Sequence, residues 1–288
     1  MKELVVISGK GGTGKTSLVA AFAFLAKSKV LCDADVDAAD LHLIMSPTVK
    51  ERHDFTGGNT AVINKEKCVE CGDCTGLCRW NAIDANFIVD PIECEGCGVC
   101  VYFCPEEAID FPENTCGEWY LSDTRFGKMV HARLGIAEEN SGKLVALVRQ
   151  EAKELAEKEG FDFILTDGPP GVGCPVIASI GGAGAILIVA EPTVSGIHDM
   201  ERVIELAAHF GVPALVCVNK FDLNPEKAQE IEDFSSERSL GFVGKIPYDA
   251  VFTKSMVQAK TLFEYDGESQ AAKSVRAIWG NISELLEL

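Results

Sequence analysis

Short apolar runs alternate with longer amphipathic segments along most of this chain. The apolar runs have the length and composition of buried strands, and the amphipathic segments repeat their apolar residues at helical spacing. Strands are predicted at 4–7, 30–32, 161–166, 184–190, 213–219 and 241–247. Helices are predicted at 15–26, 143–159, 196–210, 225–237 and 271–288. This alternation predicts an α/β fold, a doubly wound and mainly parallel sheet with helices on both faces.

One cysteine-rich segment interrupts the alternation. Residues 59–112 contain eight of the twelve cysteines of the chain. Turn-forming residues lie on either side of it, in Thr56-Gly57-Gly58-Asn59 and in Phe111-Pro112-Glu113-Asn114. We therefore predict an α/β domain formed by residues 1–58 and 113–288, and an inserted α+β domain formed by residues 59–112.

The charge of the chain argues against several classes of partner. Its 44 acidic and 26 basic residues give a net charge of −18, which repels nucleic acid and anionic membrane surfaces. No apolar run approaches the roughly 18 residues of a membrane span, and the run at 4–7 is too short for a signal-peptide core. Glu284 and Glu287 predict a packed C-terminal helix rather than a basic membrane-binding one. We expect a cytoplasmic protein that binds no nucleic acid and no membrane stably.

A glycine-rich segment links the first predicted strand to the first predicted helix and reads Gly9-Lys10-Gly11-Gly12-Thr13-Gly14-Lys15-Thr16. In this setting glycines let successive N–H groups point at phosphates, and the helix N-terminus adds partial positive charge. Lys15 is predicted to bridge the β- and γ-phosphates of a nucleotide, and Thr16 to bind Mg²⁺. The predicted nucleotide-binding residues of this P-loop are Gly11, Gly12, Thr13, Gly14, Lys15, Thr16 and Ser17.

Two cysteine runs share the spacing C-x2-C-x2-C-x3-C. They consist of Cys68, Cys71, Cys74 and Cys78, and of Cys94, Cys97, Cys100 and Cys104. This is the spacing of bacterial ferredoxins, whose thiolates hold [4Fe–4S] clusters, so two such clusters are predicted. Zinc sites use a different spacing of paired C-x2-C knuckles, and a disulfide framework is unexpected in a cytosolic protein. Arg79 follows the first run where the ferredoxin pattern has proline.

The additional lysine at Lys10 makes the P-loop similar to the deviant Walker A motif of the MinD/ParA superfamily of ATPases. The resemblance implies that Lys10 reaches across a dimer interface to the partner's nucleotide, much as an arginine finger does. It also implies that Asp35 positions the attacking water and that Asp33 supports Mg²⁺. Asp167, in the segment that resembles the second switch, would hold an Mg²⁺-bound water, and Gly171 would let that loop follow the γ-phosphate.

The predicted strand at 213–219 ends in a base-recognition motif, Asn219-Lys220-Phe221-Asp222. In MinD-like ATPases an asparagine at this place contacts the adenine edge, but the N-K-x-D string also resembles the guanine-recognition motif of GTPases. The MinD-like P-loop favours ATP, and GTP remains the alternative. Pro247 is predicted to form the other wall of the base pocket, opposite Asn219 and Lys220.

The cysteine segment resembles two-cluster ferredoxins, in which the fourth cysteine of each run binds the other cluster. One cluster would then be held by Cys68, Cys71, Cys74 and Cys104, and the other by Cys94, Cys97, Cys100 and Cys78. In the nitrogenase iron protein, a member of the MinD/ParA superfamily, a cysteine at the place of Cys174 helps to hold a cluster between two subunits. Cys116 is the candidate second ligand for such a bridging cluster. For Cys174 we expect instead a small buried thiol that packs the second switch, and the bridging cluster is the alternative.

The whole chain therefore resembles a MinD/ParA-type ATPase with an inserted ferredoxin domain. The resemblance implies an ATP-hydrolysing protein that dimerises with itself or with a paralogue and passes electrons through two [4Fe–4S] clusters to a partner redox protein. An iron–sulfur carrier or scaffold is one alternative, although Mrp-type carriers have a C-x2-C near the base site and none occurs after Cys100. A MinD/ParA-like positioning ATPase is the other; the acidic composition and the absence of a basic C-terminal helix count against it.

Overall fold

A computed structural model of the protein describes residues 1–135 and 141–288. The chain separates into two compact units. The first comprises Met1–Arg52, Trp119–Arg133 and Ser141–Leu288, and the second comprises His53–Glu118 with a short segment that begins at Leu134. The second unit therefore includes all of residues 59–112 and extends beyond them at both ends.

The strands, in chain order, are β1 (Lys2–Ser8), β2 (Lys29–Asp33), β3 (Thr48–Asn59), β4 (Val62–Ile63), β5 (Ile109–Asp110), β6 (Glu113–Thr124), β7 (Gly127–Leu134), β8 (Phe163–Pro170), β9 (Ala185–Ala190), β10 (Ala214–Asn219) and β11 (Gly241–Ile246). In the part of the chain that the structure describes, nine of them form one sheet in the order β11-β10-β9-β1-β8-β2-β7-β6-β3. The pairs from β11 through to β7 are parallel. The predicted α/β class with a mainly parallel sheet is therefore confirmed.

The helices, in chain order, are α1 (Lys15–Leu25), α2 (Leu41–Met45), α3 (Asp73–Leu77), α4 (Val99–Tyr102), α5 (Ser141–Glu159), α6 (Cys174–Ile180), α7 (Val194–His209), α8 (Pro225–Glu237), α9 (Val251–Val257), α10 (Leu262–Asp266) and α11 (Gln270–Leu286). The predicted helix at 225–237 has the bounds of α8, and the other predicted helices agree to within two residues at each end. A 3₁₀ turn, Phe221–Leu223, follows β10.

Side chains of β1 alternate between the two faces of the sheet, because successive residues of a strand point to opposite sides. Leu4 and Val6 enter an apolar core with α1, α2, α10 and α11, whereas Val5 and Ile7 enter a second core with α6, α7 and α8. Both faces of β1 are fully buried, which explains its unbroken apolar run. The carboxyl ends of the parallel strands are left to carry the polar residues.

The second unit has its own small core around the cysteine runs. Ala61, Cys74, Ile83 and Ile109 are buried in it, and β4 pairs with β5 in an antiparallel two-stranded sheet. The short helices α3 and α4 each begin after a glycine in the left-handed conformation, Gly72 at φ 85° and Gly98 at φ 69°. Helix α3 contains Cys74 of the first run, and α4 contains Cys100 of the second. The local fold therefore places thiols of both runs around this core.

The two predicted junctions are not turns. Gly57 and Gly58 lie inside β3, and Glu113 and Asn114 begin β6. A Cβ on Gly57 would lie 3.1 Å from Cys116 Sγ, so glycine at this position permits close packing rather than a chain reversal. Turn-forming composition was therefore the wrong signal at these two places.

The C-terminal helix α11 is packed, as predicted. Ala271, Ala272, Val275, Ile278 and Ile282 are buried in the same core as α1. Among the described helices, none combines the length and the apolar composition that crossing a membrane requires.

Candidate functional site

The P-loop lies between β1 and α1 at the carboxyl end of the sheet. Gly12 and Gly14 have φ values of 78° and 94°, a conformation that favours glycine because it has no Cβ. The loop also packs tightly against α7, since a Cβ on Gly9 would lie 2.2 Å from the Cβ of Asp199. Helix α1 begins at Lys15 without a side-chain cap, so its first N–H groups remain available to an anion.

The end of β10 braces this loop. Asn219 Nδ2 donates to the carbonyl of Thr13 at 2.7 Å, and Lys220 Nζ donates to the carbonyl of Gly12 at 3.2 Å. Asp222 Oδ1 accepts a hydrogen bond of 2.6 Å from the backbone N–H of Tyr248. The predicted base-recognition motif thus connects the P-loop to the segment after β11.

A cavity of about 360 Å³ opens between these elements, within the size range of small-molecule sites. The predicted residues that line it are Gly11, Gly12, Gly14, Lys15, Thr16, Ser17, Asp35, Asn219, Lys220 and Pro247. The predicted residues that do not line it are Lys10, Thr13, Asp33, Asp167 and Gly171. The backbone N–H of Gly171 donates instead to the carbonyl of Ser8, at the end of β1.

Three buried carboxylates lie at the carboxyl ends of β2 and β8, and one of them pairs with Lys15. Lys15 Nζ lies 3.3 Å from Asp35 Oδ2, and both side chains are buried. Asp33 and Asp167 are register partners on the adjacent strands β2 and β8, and both are fully buried. Burial raises the pKa of Asp167 to about 6, and burial together with the charges of Asp167 and Asp35 raises the pKa of Asp33.

Unpaired oxygens mark the same place. Among the described residues, the buried side-chain atoms that lack a hydrogen-bond partner are Thr13 Oγ1, Asp33 Oδ2 and both carboxylate oxygens of Asp167. Buried polar atoms without partners are costly unless a ligand or ion completes them. A hard cation prefers carboxylate and hydroxyl oxygens, so this donor set fits Mg²⁺ beneath a polyphosphate.

Replacing Asp167 by asparagine is expected to stabilise the metal-free protein at neutral pH. Below pH 3.8 the carboxyl is protonated in both the folded and unfolded states, so its raised pKa has no effect. Between pH 3.8 and about 6 the unfolded chain loses the proton first, so the free energy of unfolding falls as pH rises. We expect Asp167→Asn to raise that free energy by about 1–3 kcal/mol at pH 8, and by less at pH 5, in urea unfolding with EDTA.

The control for this prediction is Asp162→Asn, which changes an exposed aspartate just before β8. An equal gain in both variants, or a gain for Asp167→Asn that does not depend on pH, would show that burial of the Asp167 charge is not its source.

Glu191, directly after β9, is a site residue that the sequence analysis missed. Its Oε2 lies 3.0 Å from Lys10 Nζ, and its Oε1 lies 2.5 Å from Lys220 Nζ. Burial acts to raise the pKa of Glu191, but the two lysines prevail and lower it. The sequence could have indicated Glu191, because it is an acidic residue at the carboxyl end of a buried strand. Ligands of parallel sheets bind at the carboxyl ends of the strands.

Helix α9 also contributes residues that no motif pointed to. Phe252 and Met256 line the cavity, and Ser17 Oγ approaches Met256 Sδ at 3.0 Å. Nothing in the local sequence distinguishes these apolar residues from ordinary core positions, because their role depends on where the chain returns to the P-loop.

In the second unit the cysteines line two separate cavities. One is lined by Cys78, Cys94, Cys97 and Cys100. The other is lined by Cys68, Cys71, Cys74 and Cys104. Each cavity therefore brings together three cysteines of one run with the fourth cysteine of the other.

The surroundings of these thiols are apolar, with backbone donors. The pKa of Cys74 is raised by burial and then by Cys68 and Cys71, and that of Cys100 by burial and then by Cys94 and Cys97. Cys104 Sγ accepts a hydrogen bond of 3.3 Å from the backbone N–H of Ala108. Across the described residues, no three His, Cys, Asp or Glu side chains lie close enough to hold a single metal ion.

The remaining cysteines have different environments. Cys32 and Cys217 are fully buried in strands, in agreement with the expectation that they belong to the core, and burial raises the pKa of Cys217 to about 12. Cys174 is exposed as the first residue of α6, so the expectation of a buried thiol there is wrong. Its Cβ packs on Gly142 of α5, which leaves the sulfur outside. Cys116 is 1% exposed, which makes it a poor ligand for a cluster shared between chains.

Known proteins similar to this chain agree with the fold. The family described as CobQ/CobB/MinD/ParA nucleotide binding domain matches residues 4–262. The uncharacterized protein MJ0578 of Methanocaldococcus jannaschii is 30% identical over 287 residues, which are 99% of this chain and 97% of that protein. The uncharacterized protein MJ0579 of the same organism is 23% identical over 310 residues, with coverage of 97% and 100%. The structure of the septum site-determining protein MinD of Pyrococcus horikoshii with Mg-ADP has a TM-score of 0.61 and 18% identity, with coverage of 99% and 96%.

Proposed function

Because this chain belongs to the CobQ/CobB/MinD/ParA nucleotide-binding family and is a P-loop ATPase of the MinD/ParA type, we propose that it couples ATP hydrolysis to electron transfer through two [4Fe–4S] clusters. Residues 59–112 would form the inserted ferredoxin-like domain that binds the clusters. The remainder would form a nucleotide-dependent dimer, either with a second copy or with a paralogue.

The observation that carries the proposal is the composition of the two cysteine cavities. In a [4Fe–4S] cluster each of four thiolates binds a different iron atom, and in two-cluster ferredoxins one of the four comes from the other run. Cys104 lines the cavity of the first run and Cys78 that of the second. Ligands of a single ion must converge more closely, which is consistent with the absence of single-ion groups among the described residues.

The chemistry of the cavities fits clusters. Soft thiolates suit iron–sulfur clusters, and backbone N–H groups directed at the sulfurs tune their reduction potential. The N–H groups of Glu70 and Ala108 donate to Cys68 Sγ and Cys104 Sγ at 3.4 and 3.3 Å. When bound, the clusters would supply one-electron storage. The chain's own part would be to orient the thiolates and exclude water with Ile83, Ile109 and their neighbours.

The nucleotide site would supply the switch. Lys15 and the glycines of the P-loop would bind the phosphates, and the fold is similar to that of a MinD protein solved with Mg-ADP. Thr16, Asp33 and Asp167 would hold Mg²⁺, which neutralises phosphate charge. Asp35 would orient the attacking water. Loss of the γ-phosphate would release the segments after β2 and β8. Their movement would control either the docking of a partner redox protein or the reduction potential of the clusters.

The comparisons also bear on the dimer and on another function. Two relatives occur in one organism and cover nearly all of this chain, which supports pairing between paralogues. The solved structures with similar folds include a cell division ATPase MinD and a septum site-determining protein MinD, so a positioning ATPase is the second candidate. The apolar face of the C-terminal helix α11 is buried in the core, which favours electron transfer over membrane positioning.

The test is anaerobic purification of the full chain followed by iron, sulfide and zinc analysis. The proposal expects four iron and four sulfide atoms per cluster for two clusters, together with electron transfer to an acceptor protein that requires hydrolysable ATP. Protein that contains only zinc and no sulfide would overturn it. Release of intact clusters to an apo-ferredoxin would indicate a carrier, and ATP-dependent sedimentation with liposomes would indicate a positioning ATPase.

A further inference from the structure

The second unit exposes four large apolar side chains beside one of its two cysteine cavities. Trp80 is 51% exposed, Val99 37%, Tyr102 84% and Phe103 56%. We call these four residues the apolar patch. Single exposed apolar residues are ordinary, but a cluster that contains three aromatic residues is typical of an interaction site.

Contacts on the structure make the patch continuous. Trp80 and Val99 line the same cavity. The backbone N–H of Phe103 donates to the carbonyl of Val99 at 3.1 Å, so the two side chains lie one helical turn apart on the same side. The rings of Tyr102 and Phe103 meet edge to face with centroids 5.0 Å apart.

Two residues of the patch line one of the cavities, and no residue of the patch lines the other. Cys78, Cys94, Cys97 and Cys100 line the cavity that Trp80 and Val99 share, and Tyr102 and Phe103 lie between Cys100 and Cys104 in the chain. The other cavity is walled by Ile63, Phe87 and Ile109, which are half-buried or buried, and its exposed apolar residue is Val69. Of the two predicted clusters, only the one in the cavity lined by Trp80 and Val99 would therefore lie beside an exposed apolar surface.

The segment of the chain that contains the patch is rich in carboxylates. Residues 59–112 carry ten acidic and three basic side chains, a net charge of −7. Glu93 and Glu95 flank Cys94, Glu106 and Glu107 follow Cys104, and all four are exposed. A second copy of this chain would bring the same negative charge to the contact, and like charges facing each other across an interface are unfavourable. A complementary partner has an apolar centre and a basic rim.

We propose that the apolar patch is the docking surface for the electron-transfer partner, and that this partner is a redox protein with basic residues around an exposed apolar face. Electrons would leave through the cluster held by Cys78, Cys94, Cys97 and Cys100. The inference rests on the proposed function, since it assigns an exit route to clusters that the cavities would hold.

The experiment uses cytochrome c, a basic haem protein, as the probe acceptor. The anaerobic full-length protein is reduced with dithionite, desalted and mixed with ferric cytochrome c in a stopped-flow instrument. Each reduced cluster gives one electron to one ferric haem, which becomes ferrous. We expect Tyr102→Ser combined with Phe103→Ser to lower the second-order rate constant roughly tenfold. The wild-type rate should fall as salt increases.

Two controls separate docking from damage. Ile88→Ser changes a side chain of similar exposure, 58%, that lines neither cavity, and it should leave the rate unchanged. Reduction of ferricyanide, a small ion that needs no docking surface, should be equal in all variants. Iron and sulfide content is measured in each, and protein without clusters overturns this inference together with the proposed function. Cluster-loaded protein that does not reduce cytochrome c, or a double variant as fast as wild type, overturns the docking surface alone.

Discussion

Replacing Lys10 by alanine is expected to lower the turnover of ATP roughly 10³-fold, while the affinity for ATP changes by only a few-fold. Lys10 does not line the nucleotide cavity of its own chain, and its Nζ lies 3.0 Å from Glu191. A side chain that contributes charge only in the transition state affects turnover and not ground-state binding. Steady-state hydrolysis and equilibrium binding of a fluorescent ATP analogue measure the two effects separately. Lys27→Ala, which changes an exposed lysine after α1, is the control.

Mixing variants tests whether Lys10 acts on the partner's nucleotide. Asp35→Asn would retain the P-loop and Lys10 but lose the carboxylate that orients water. In a mixed dimer, the intact site of a Lys10→Ala chain receives Lys10 from an Asp35→Asn chain. Hydrolysis should therefore rise well above the sum of the two separate variants. A mixture no more active than that sum would show that Lys10 acts within its own chain.

Pairs of cysteine-to-serine replacements are expected to lose iron in a pattern that reports which thiols share a cluster. Cys68 and Cys104 line the same cavity, so the double variant should lose one cluster, the same as either single variant. Cys68 and Cys78 belong to one run but line different cavities, so their double variant should lose both. Iron and sulfide analysis of anaerobic protein distinguishes half occupancy from none.

The opposite pattern would overturn this assignment. If the variant without Cys68 and Cys104 lost both clusters and the variant without Cys68 and Cys78 lost one, each run would hold its own cluster. Cys174→Ser is the matched control, because Cys174 is an exposed thiol outside both cavities and its loss should leave the iron content unchanged.

The elements around the nucleotide site were predictable because their signals are local. The buried strands near the site have unbroken apolar stretches in their sequences, because both of their faces are covered. These strands are β1, β8, β9 and β10. The P-loop follows from glycines at positions that require positive φ. The long strand β3 gave no such signal, since eleven of its twelve residues are exposed or half-buried and ten of these are polar residues or glycines. Its pairing partner, β6, is distant in sequence.

Other features depend on tertiary placement that spacing does not encode. Glu191 contacts Lys220, 29 residues later in the chain, and Lys10, which lies near its beginning. The exposure of Cys174 depends on how α5 packs on α6. In contrast, the grouping of Cys104 with the first run was anticipated from resemblance to ferredoxins and not from the residues alone, which leave either pairing open.

The double ion pair of Glu191 would make the two ends of the predicted nucleotide site interdependent. Lys10 belongs to the phosphate end and Lys220 to the base end, and a single carboxylate neutralises both. If Lys10 left Glu191 to act on the nucleotide of a neighbouring chain, Glu191 would pair with Lys220 alone, and the attraction between them would no longer be shared. Dimerisation would thereby fix Lys220 more firmly at the base end of the site. Dimer formation and retention of the nucleotide would then reinforce each other.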